Sequence, residues 1–331
     1  MLILTASDVS KVFDMAAAFE AVEEAALAHV QSRTASPPRT ALKLPVVPAE
    51  ILVMPGSVNS RLFGLKVWYA LGEPIGSIPQ SSAVITLLDP ELGLEIVMDG
   101  GIITDLRTGA MSGLAASRLA PPRSKTVGLI GAGIQGRAQV LAMVHACGEV
   151  ETVKVFSRDP LRRQRFAEML EDELGQSYPD RRVTVVPADS AESTCRGSDI
   201  VVAATTSRVP IIEDGWIGDR TLICGVGSHS PTESEIAPVT VGRASRVVVD
   251  TFGGGVDGAG DIAGAIDAGH IRRDDVLELG TLLAGELGPA SGDGPTVFKS
   301  VGFGAADTVS ARLVAHRAIE RGFGTTIDLH R

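Results

Sequence analysis

The first long hydrophobic pattern of the chain has the period of an α-helix. Mostly apolar side chains recur at intervals of three or four residues, at Val12, Met15, Phe19, Val22, Ala26 and His29. This spacing puts them on one face of a helix, and Ser7 and Asp8 stand before the pattern as candidate N-caps. We therefore predict a long N-terminal helix with one buried face.

Between residue 41 and residue 98 the pattern shortens to strand-like runs. Residues 50–54, 62–69 and 82–88 are rich in apolar and β-branched side chains, and prolines and glycines separate them. Short runs bounded by turn residues are typical of neighbouring antiparallel strands. We predict a mostly antiparallel sheet for this part of the chain.

The pattern changes after a proline-containing link, LAPPRSK, at residues 119–125. From here short β-branched runs alternate with helical stretches, which is the order of elements in a parallel α/β sheet. The candidate strands are residues 126–130, 152–156, 182–186, 199–203, 221–226 and 246–249. Their nearly continuous hydrophobicity indicates strands buried on both faces, so the sequence predicts a doubly wound parallel sheet.

Composition restricts the class of protein. The 331 residues are 44% hydrophobic and 21% charged, and no run reaches the roughly 18 apolar residues that a membrane span requires. A net charge of −10 and the lack of a basic stripe argue against a nucleic-acid partner. Because the start, MLILTASDVSK, lacks the pattern of a secretion signal, we expect a cytoplasmic enzyme.

The cysteines and histidines do not have the spacing of a disulfide framework or a metal site. Cys147, Cys195 and Cys224 are far apart in the sequence, and the histidines show neither HxxH nor HxxxH spacing. No metal is therefore expected. The glycine-rich residues 253–264, GGGVDGAGDIAG, lack the ending of a P-loop, and we interpret them as a flexible loop.

Residues 131–136, GAGIQG, form a G-x-G-x-x-G motif between a predicted strand and a predicted helix. In dinucleotide-binding folds the first glycine permits a tight turn, the second lets the backbone approach a pyrophosphate and the third lets helix and strand pack closely. The free N–H groups of the helix N-terminus favour an anion. The candidate cofactor-binding residues here are Gly131, Gly133, Ile134, Gln135 and Gly136.

The end of the second strand of this domain bears on which dinucleotide binds. Ser157 and Arg158 follow it, at the point where a cofactor with a free ribose 2′-hydroxyl usually meets an acidic residue. A hydroxyl and a guanidinium, with Arg162 and Arg163 further on, suit a 2′-phosphate instead. NADP(H) is therefore favoured, and NAD(H) is the alternative if the strand ends later and Asp159 takes the role of the acid.

Residues at the carboxyl ends of the next strands are further candidates, because such residues line the ligand-binding crevice of doubly wound sheets. Thr205 and Thr206 follow the fourth predicted strand, whereas Val226, Gly227 and Ser228 end and follow the fifth. We expect the threonines to border the cofactor and the other three residues to meet its nicotinamide.

Three motifs, in this order, resemble those of one known family. They are ITDLRTGA at residues 103–110, the GAGIQG loop, and FKSVG at residues 298–302. Together they resemble the ornithine cyclodeaminase and mu-crystallin family over essentially the whole chain.

The implied architecture has two domains. Residues 121–304 would form an NAD(P)-binding Rossmann domain. Residues 1–120 with residues 305–331 would form a discontinuous α+β domain for substrate binding and dimerisation, completed by a last helix at about residues 305–321. A homodimer is therefore expected.

The resemblance also implies site residues. Family members hold the substrate carboxylate with groups that match Arg39, Lys66 and Arg107 in this sequence. The KSVG segment would close on the nicotinamide side of the cofactor. The additional cofactor contacts that the resemblance implies are Thr108, Lys299 and Val301.

Lys66 also stands out without the resemblance. It lies among Leu65, Val67 and Trp68, where burial of an ammonium group without an anionic partner would be costly. We hypothesise that it is also the proton carrier, because a desolvated amine near other cations has a pKa lowered toward neutrality. Arg39, which follows two prolines, is alternatively a solvated charge in a loop.

Two residues depart from the family pattern. The cyclodeaminases carry an aspartate where this sequence has His229, and a family threonine near the substrate corresponds to Gln80. A neutral imidazole can act as a base near pH 7, but it lacks the fixed negative charge that would hold the side-chain ammonium of ornithine. His229 alternatively closes a turn through a hydrogen bond to the backbone. These departures favour a small or cyclic imino acid over ornithine.

We therefore expect an NAD(P)H-dependent oxidoreductase that transfers hydride between the nicotinamide and the α-carbon of a small amino or imino acid. A ketimine or pyrroline-2-carboxylate reductase and an enzyme like alanine dehydrogenase both fit. The alternative enzyme is an ornithine cyclodeaminase, which recycles bound NAD internally and releases ammonia. An alternative of another class is a protein of mu-crystallin type that binds a small ligand with NADPH.

Overall fold

The computed structural model describes residues 1–44, 49–71, 76, 78–285 and 293–328. The chain divides into two compact units. Unit 1 comprises Met1–Arg107 and Gly302–Arg331, and unit 2 comprises Thr108–Val301. The boundary expected from the sequence, at residues 120 and 121, stands just after the helix Gly101–Leu119, whereas this division falls within that helix.

The two units contain the following elements. In chain order the strands are β1 (Leu2–Leu4), β2 (Thr34–Ala35), β3 (Thr40–Leu44), β4 (Ala49–Val58), β5 (Leu62–Ala70), β6 (Ser81–Asp89), β7 (Leu94–Asp99), β8 (Thr126–Ile130), β9 (Thr152–Phe156), β10 (Thr184–Pro187), β11 (Ile200–Ala203), β12 (Leu222–Gly225), β13 (Arg246–Val249), β14 (Val276–Glu278), β15 (Thr296–Lys299) and β16 (Thr325–Thr326). The α-helices are α1 (Ala6–Ser10), α2 (Met15–Val30), α3 (Gly101–Leu119), α4 (Ile134–Ala146), α5 (Pro160–Ser177), α6 (Ala191–Cys195), α7 (Pro238–Gly242), α8 (Gly260–Asp267), α9 (Leu279–Leu283) and α10 (Gly304–Glu320).

Unit 1 is built on a sheet with the strand order β16-β1-β7-β6-β5-β4-β2, and β3 pairs with β4. Its neighbours are antiparallel except for β1 and β7, which are parallel. The predicted mostly antiparallel sheet is thus confirmed. Strands β4, β5 and β6 each extend beyond the run predicted from the sequence.

The predicted long N-terminal helix with a buried face is present as α2, but it begins later than predicted, because two caps divide the segment into α1 and α2. Thr5 caps α1 in a reciprocal pair with Asp8, so that Asp8 lies inside the first turn. Asp14 caps α2, and its Oδ1 accepts a hydrogen bond 2.8 Å long from Ala17 N. Ser7 lies within α1 and caps neither helix.

Helix α10 brings the end of the chain back to the sheet of unit 1. It agrees with the helix predicted at about residues 305–321 and packs on β4, β5 and α2. The approach is close, because a Cβ on Gly56 would lie 2.3 Å from the carbonyl carbon of Gly304. Side chains of β5 and α10 therefore face each other inside this unit.

Unit 2 is a parallel sheet with the strand order β10-β9-β8-β11-β12-β15-β13-β14. From β8, the chain continues outward through β9 and β10 on one side and returns through β11 and β12 on the other, which is the doubly wound arrangement. The predicted fold class, a Rossmann sheet with a discontinuous α+β domain, is confirmed. No helix among the described residues is both long and apolar enough to cross a membrane.

Two strands of unit 2 were missing from the prediction. Strand β15 contains the first two residues of the FKSVG motif, Phe298 and Lys299, and all its residues are buried. Because it is short and ends in a lysine, it does not have the pattern of a buried strand. Strand β14 pairs with β13 at the edge of the sheet and is only three residues long.

The predicted flexible loop at residues 253–264 is also wrong, because this segment is helical. Phe252–Val256 forms a π-helical turn, and α8 begins at Gly260. Thr251 Oγ1 accepts a hydrogen bond 3.1 Å long from Gly254 N. A Cβ on Gly255 would lie 2.4 Å from Val249 Cβ, so the glycine serves close packing against β13.

Candidate active site

A buried group of charges connects three elements of unit 1: β5, α3 and α10. Lys66 Nζ lies 2.7 Å from Asp307 Oδ1, and Arg107 Nε lies 2.9 Å from the same oxygen. The exposed fractions are 2% for Lys66, 3% for Arg107 and 1% for Asp307. One carboxylate thus faces two cationic groups, which leaves the cluster positive when Lys66 is protonated.

The surroundings of Lys66 bring its proton into the neutral range. Burial lowers the pKa of Lys66 to about 7, and the positive charges of Arg107 and, less strongly, Arg39 act in the same direction. Asp307 opposes them through its charge and its hydrogen bond. A group with such a pKa can both give and take a proton near neutral pH.

Gly302 forms one wall of the Arg107 site. Its φ of +85° is in the region that favours glycine. A Cβ at this position would lie 2.2 Å from Arg107 Nη1. The glycine that ends the FKSVG motif is therefore needed to let the backbone lie against the guanidinium.

The structure brings together only some of the residues predicted to hold the substrate. Lys66 and Arg107 meet through Asp307. Arg39 lies half-buried just before β3, near enough for its charge to act on Lys66. Gln80 is exposed just before β6, and its backbone carbonyl accepts a hydrogen bond 2.7 Å long from Leu71 N.

Unit 2 has a pocket of about 740 Å³ at the carboxyl ends of β8, β9 and β11. It is lined by residues from the glycine motif, from the segment after β9 and from the segment after β11. The lining residues include Gly131, Gly133, Ser157, Arg158, Asp159, Arg162, Thr205, Thr206 and Trp216.

The glycine motif has the geometry that a dinucleotide requires. Gly131 has a φ of +119°, and a Cβ there would lie 2.2 Å from Ala204 O. A Cβ on Gly136 would lie 2.1 Å from Gly131 O, so this glycine allows α4 to pack on the loop. Gly133 is the N-cap of α4, with no side-chain cap, and the nearest atom to its Cβ position is Arg162 Nη2, at 3.8 Å. Ile134, 60% exposed, and Gln135 begin the helix, whose first N–H groups can bind an anion.

The segment after β9 places a hydroxyl and guanidinium groups at the pocket. Ser157, Arg158 and Arg162 all line it, and Arg162 Nε donates a hydrogen bond 3.0 Å long to Ala132 O. Asp159 is the N-cap of α5, where its Oδ1 accepts hydrogen bonds from two backbone N–H groups, including Arg162 N. Its carboxylate is thus engaged in helix capping.

The segments after β11 and β12 turn toward a buried carboxylate. Thr205 and Thr206 line the pocket, and half-buried Val226 follows β12. The backbone N–H groups of Gly227 and Ser228 both donate to Glu235 Oε2, at 2.7 Å and 3.2 Å.

His229 closes the turn that follows β12. Its Nδ1 lies 3.1 Å from Gly227 O, which is the contact that the structural interpretation predicts. The ring is half-buried.

Three residues predicted to contact the cofactor take part in hydrogen bonds within unit 2. Lys299 is completely buried, and its Nζ lies 2.9 Å from Asp261 Oδ2 and 2.7 Å from Ser228 O. Val301 N donates to Asp250 Oδ2 at 2.6 Å. Thr108 O accepts a hydrogen bond 3.2 Å long from Gln139 Nε2. The ammonium of Lys299 is thus held by the fold.

Sequence reasoning missed the carboxylates that organise these sites: Asp307, Glu235 and Asp261. All three are buried, and acidic residues are almost never buried without a partner. Asp307 lies among small and apolar residues of α10, such as Ala305, Ala306 and Val309, and this context could have identified it. Among the described residues, no group of His, Cys, Asp and Glu side chains is arranged to hold a metal ion.

Comparison with known proteins gives consistent matches over the whole length. The sequence profile of the ornithine cyclodeaminase/mu-crystallin family matches residues 1–322. The alanine dehydrogenase of Archaeoglobus fulgidus is 32% identical over 342 residues, which cover 100% of this chain and 99% of that protein.

Two solved structures are similar throughout. The Δ1-pyrroline-2-carboxylate reductase of Thermococcus litoralis, in complex with NADH and L-proline, has a TM-score of 0.90 and 33% identity, covering 99% of this chain and 100% of the other. An archaeal alanine dehydrogenase dimer with bound NAD has a TM-score of 0.86 and 28% identity, covering 99% of each chain.

Proposed function

The chain belongs to the ornithine cyclodeaminase/mu-crystallin family, and we propose that it is a nicotinamide-dependent oxidoreductase of small α-amino or α-imino acids. Hydride transfer takes place between nicotinamide C4 and the substrate α-carbon. The observation that carries this proposal is the buried cluster of Lys66, Arg107 and Asp307. The similar reductase and dehydrogenase support it.

The cluster suits a substrate that combines a carboxylate with an amine or imine nitrogen. Arg107 and protonated Lys66 together exceed the charge of Asp307, so the site attracts an anion, and charge-assisted hydrogen bonds contribute about 1.5–3 kcal/mol each. Asp307 Oδ2 is buried with no hydrogen-bond partner among the described residues. An ammonium or iminium group would satisfy this acceptor.

Lys66 is the proton carrier in this proposal. With a pKa of about 7, its ammonium can give a proton to the substrate nitrogen during reduction, and its amine can take one during oxidation. The exclusion of water from this buried cluster strengthens the interactions of its charges with a bound substrate.

Unit 2 fits a dinucleotide. Gly131 and Gly136 provide the close approaches of the loop. Gly133, with only Arg162 Nη2 near its Cβ position at 3.8 Å, and the N-terminus of α4 suit a pyrophosphate. When bound, a nicotinamide supplies the hydride donor or acceptor of the reaction.

We propose that this chain prefers NADP(H). Ser157 and Arg158 line the pocket at the end of β9, and Arg162 adds a second guanidinium. Asp159 also lines the pocket, but its Oδ1 already accepts two backbone N–H groups of α5, which makes it a weaker partner for a free 2′-hydroxyl. NAD(H) is the alternative, and both similar solved structures contain it.

The second enzyme to test is a cyclodeaminase. The family resemblance puts an aspartate at the position of His229, whereas the imidazole here contacts Gly227 O. Without a fixed negative charge at this point, the site is poorly suited to the side-chain ammonium of ornithine. A binding protein of mu-crystallin type is the remaining alternative.

We also propose a homodimer formed through the sheet of unit 1. On the face of β5 and β6 opposite Lys66, Phe63 and Val84 are each 46% exposed and Leu88 is 45% exposed. Phe63 and Leu88 lie directly opposite each other across the two strands, and Leu65, which is 39% exposed, lies on the same face of β5, so this face carries an exposed apolar patch. A second copy of the chain would cover it, and a sedimentation measurement of the mass in solution tests this.

Assays of the purified protein test the proposed reaction. NADPH or NADH is mixed with cyclic imino acids or with pyruvate and ammonia, and ornithine is mixed separately with NAD. The absorbance of reduced nicotinamide and the release of ammonia are followed. We expect absorbance to fall with an imine or keto acid. Ammonia from ornithine without a net change in absorbance would establish the cyclodeaminase, and tight NADPH binding without any turnover would establish the binding protein.

A further inference from the structure

Glu235 is a completely buried carboxylate that joins two segments of unit 2. Its Oε1 accepts hydrogen bonds from Thr205 N at 2.8 Å and from Thr205 Oγ1 at 2.7 Å. Its Oε2 accepts from Gly227 N at 2.7 Å and from Ser228 N at 3.2 Å. No lysine or arginine in the described part of the chain forms an ion pair with it. These four donors therefore compensate the burial of the carboxylate.

The segments that Glu235 joins follow the neighbouring strands β11 and β12. A third segment is packed against them, because a Cβ on Gly131, after β8, would lie 2.2 Å from Ala204 O and 3.3 Å from Thr205 Cγ2. Strands β8, β11 and β12 are adjacent, and the order of the sheet reverses at β8. Ligands of doubly wound sheets bind at this point of reversal.

Gly227 shows how closely these segments approach. A Cβ at this residue would lie 2.1 Å from Thr205 O and 2.5 Å from Glu235 Oε1. Only a glycine lets Glu235 reach both segments at hydrogen-bond distance. The carboxylate and the glycine together set the separation between the ends of β11 and β12.

Glu235 is itself held in place by its backbone. Its N–H group donates to Asp261 Oδ1 at 2.7 Å, and its carbonyl accepts hydrogen bonds from Ile211 N at 2.9 Å and Ile212 N at 3.2 Å. Asp261 is in turn paired with Lys299. The side chain of Glu235 thus extends from a fixed point of unit 2.

We propose that Glu235 is a positioning residue for the dinucleotide, because it holds the segments after β11 and β12 at the spacing that the bound cofactor requires. This inference rests on the proposed function. Glu235 does not line the pocket, whereas Thr205 does, so it acts through the segments that it joins. The segments after β11 and β12 lie on the opposite side of β8 from Arg158, which follows β9. We therefore expect Glu235 to position the nicotinamide half of the cofactor and not its adenosine half.

The variant Glu235→Gln tests the proposal. An amide of the same shape keeps only one oxygen, so one pair of N–H or O–H donors loses its acceptor, and buried donors without partners are costly. NADPH or NADH is titrated into the protein, and binding is followed by the fluorescence of Trp216, which lines the pocket. We expect the Kd of the tighter dinucleotide to rise about tenfold or more. Its adenosine half, adenosine 2′,5′-bisphosphate for NADPH or AMP for NADH, is expected to change by less than about threefold.

The control is Asp89→Asn, which alters another buried carboxylate that accepts hydrogen bonds from backbone N–H groups, those of Glu91 and Leu92 in unit 1. It should leave both Kd values unchanged. An unchanged dinucleotide Kd in Glu235→Gln, or an equal loss for the dinucleotide and its adenosine half, would overturn the proposal.

A measurement on the wild-type protein keeps the proposal testable if the variant does not fold. Hydrogen exchange without ligand should show the amide protons of Thr205 and Gly227 protected, and rapid exchange at both would contradict the positioning role. Wild-type protein that binds neither dinucleotide would overturn the proposed function and this inference with it. If the wild-type protein binds a dinucleotide and Glu235→Gln binds it with the same Kd, only the inference about Glu235 is overturned.

Discussion

Lys66 Nζ and Asp307 Oδ1 are 2.7 Å apart inside the sheet and helix packing of unit 1, although 241 positions separate the two residues in the chain. The same oxygen accepts from Arg107 Nε at 2.9 Å. This shared acceptor explains how a lysine can be almost fully buried and still ionise near neutral pH.

The first prediction concerns pH dependence. Lys66 must carry a proton to act as an acid in reduction and must be neutral to act as a base in oxidation. Since its pKa is about 7, kcat/KM for reduction should be level below that pH and fall above it. For oxidation it should rise through the same range. Measuring kcat/KM in both directions from pH 5 to pH 9 checks this. A kcat/KM that changes with pH in the same sense for reduction and oxidation would contradict it.

The variant Asp307→Asn removes the negative charge that raises the pKa of Lys66. That pKa should therefore fall, and the descending limb for reduction should move to lower pH. If Asp307 had only a structural role, the variant would show a lower rate or melting temperature, but kcat/KM for reduction would fall over the same pH range as in the wild type. The control is Asp89→Asn, a buried carboxylate of unit 1 that binds backbone N–H groups at a turn, for which the limb should stay unchanged.

The variant Lys66→Met should reduce turnover far more than it weakens cofactor binding. Loss of a general acid or base typically costs about 100- to 10,000-fold in rate. The pocket of unit 2 is built from other residues, so the dinucleotide Kd should stay within about threefold. Lys125→Met is the matched control, because Lys125 is exposed and pairs with Glu151 on the surface. Equal losses of turnover and cofactor affinity would contradict the proton-carrier role.

Local patterns were sufficient to predict part of these sites. The spacing of the glycine motif predicts the geometry of its loop. In the structure Gly131 has a positive φ, and Gly136 lies close to Gly131 O. Lys66 was identified because apolar residues surround it within one strand. In both cases the information lies within a few neighbouring residues.

The partners of these residues could not be predicted in the same way. Asp307 reaches Lys66 only because α10 packs on β5, and a sequence pattern does not contain that contact. The motif around Lys299 does not indicate that this residue ends the buried strand β15 and pairs with Asp261. Asp261 comes from the segment interpreted as a flexible loop, so the sequence pattern does not indicate this ion pair either.

Gly302→Ala should damage substrate binding through Arg107. The added Cβ would lie 2.2 Å from Arg107 Nη1, so the guanidinium must move, and we expect the substrate KM to rise about tenfold with little change in cofactor Kd. Gly322→Ala is the control, since Gly322 also has a positive φ, +71°, but nothing lies within 4 Å of its Cβ position. Both variants should lose about 1 kcal/mol of stability from backbone strain. An equal rise in KM for both would contradict a specific effect on Arg107.

Arg158→Ala tests the preference for NADP(H). Arg158 lines the pocket at the end of β9, where a guanidinium can pair with a 2′-phosphate. Since such charge-assisted bonds contribute about 1.5–3 kcal/mol, the Kd of NADPH should rise about 10- to 100-fold, and that of NADH should change by less than about threefold. Arg165→Ala is the control, because Arg165 is an exposed residue of α5 that does not line the pocket. A wild-type protein that binds NADH more tightly than NADPH would show that Ser157 and Arg158 do not select the phosphate. Equal weakening of both dinucleotides in Arg158→Ala would instead place this arginine at a part of the cofactor that the two share.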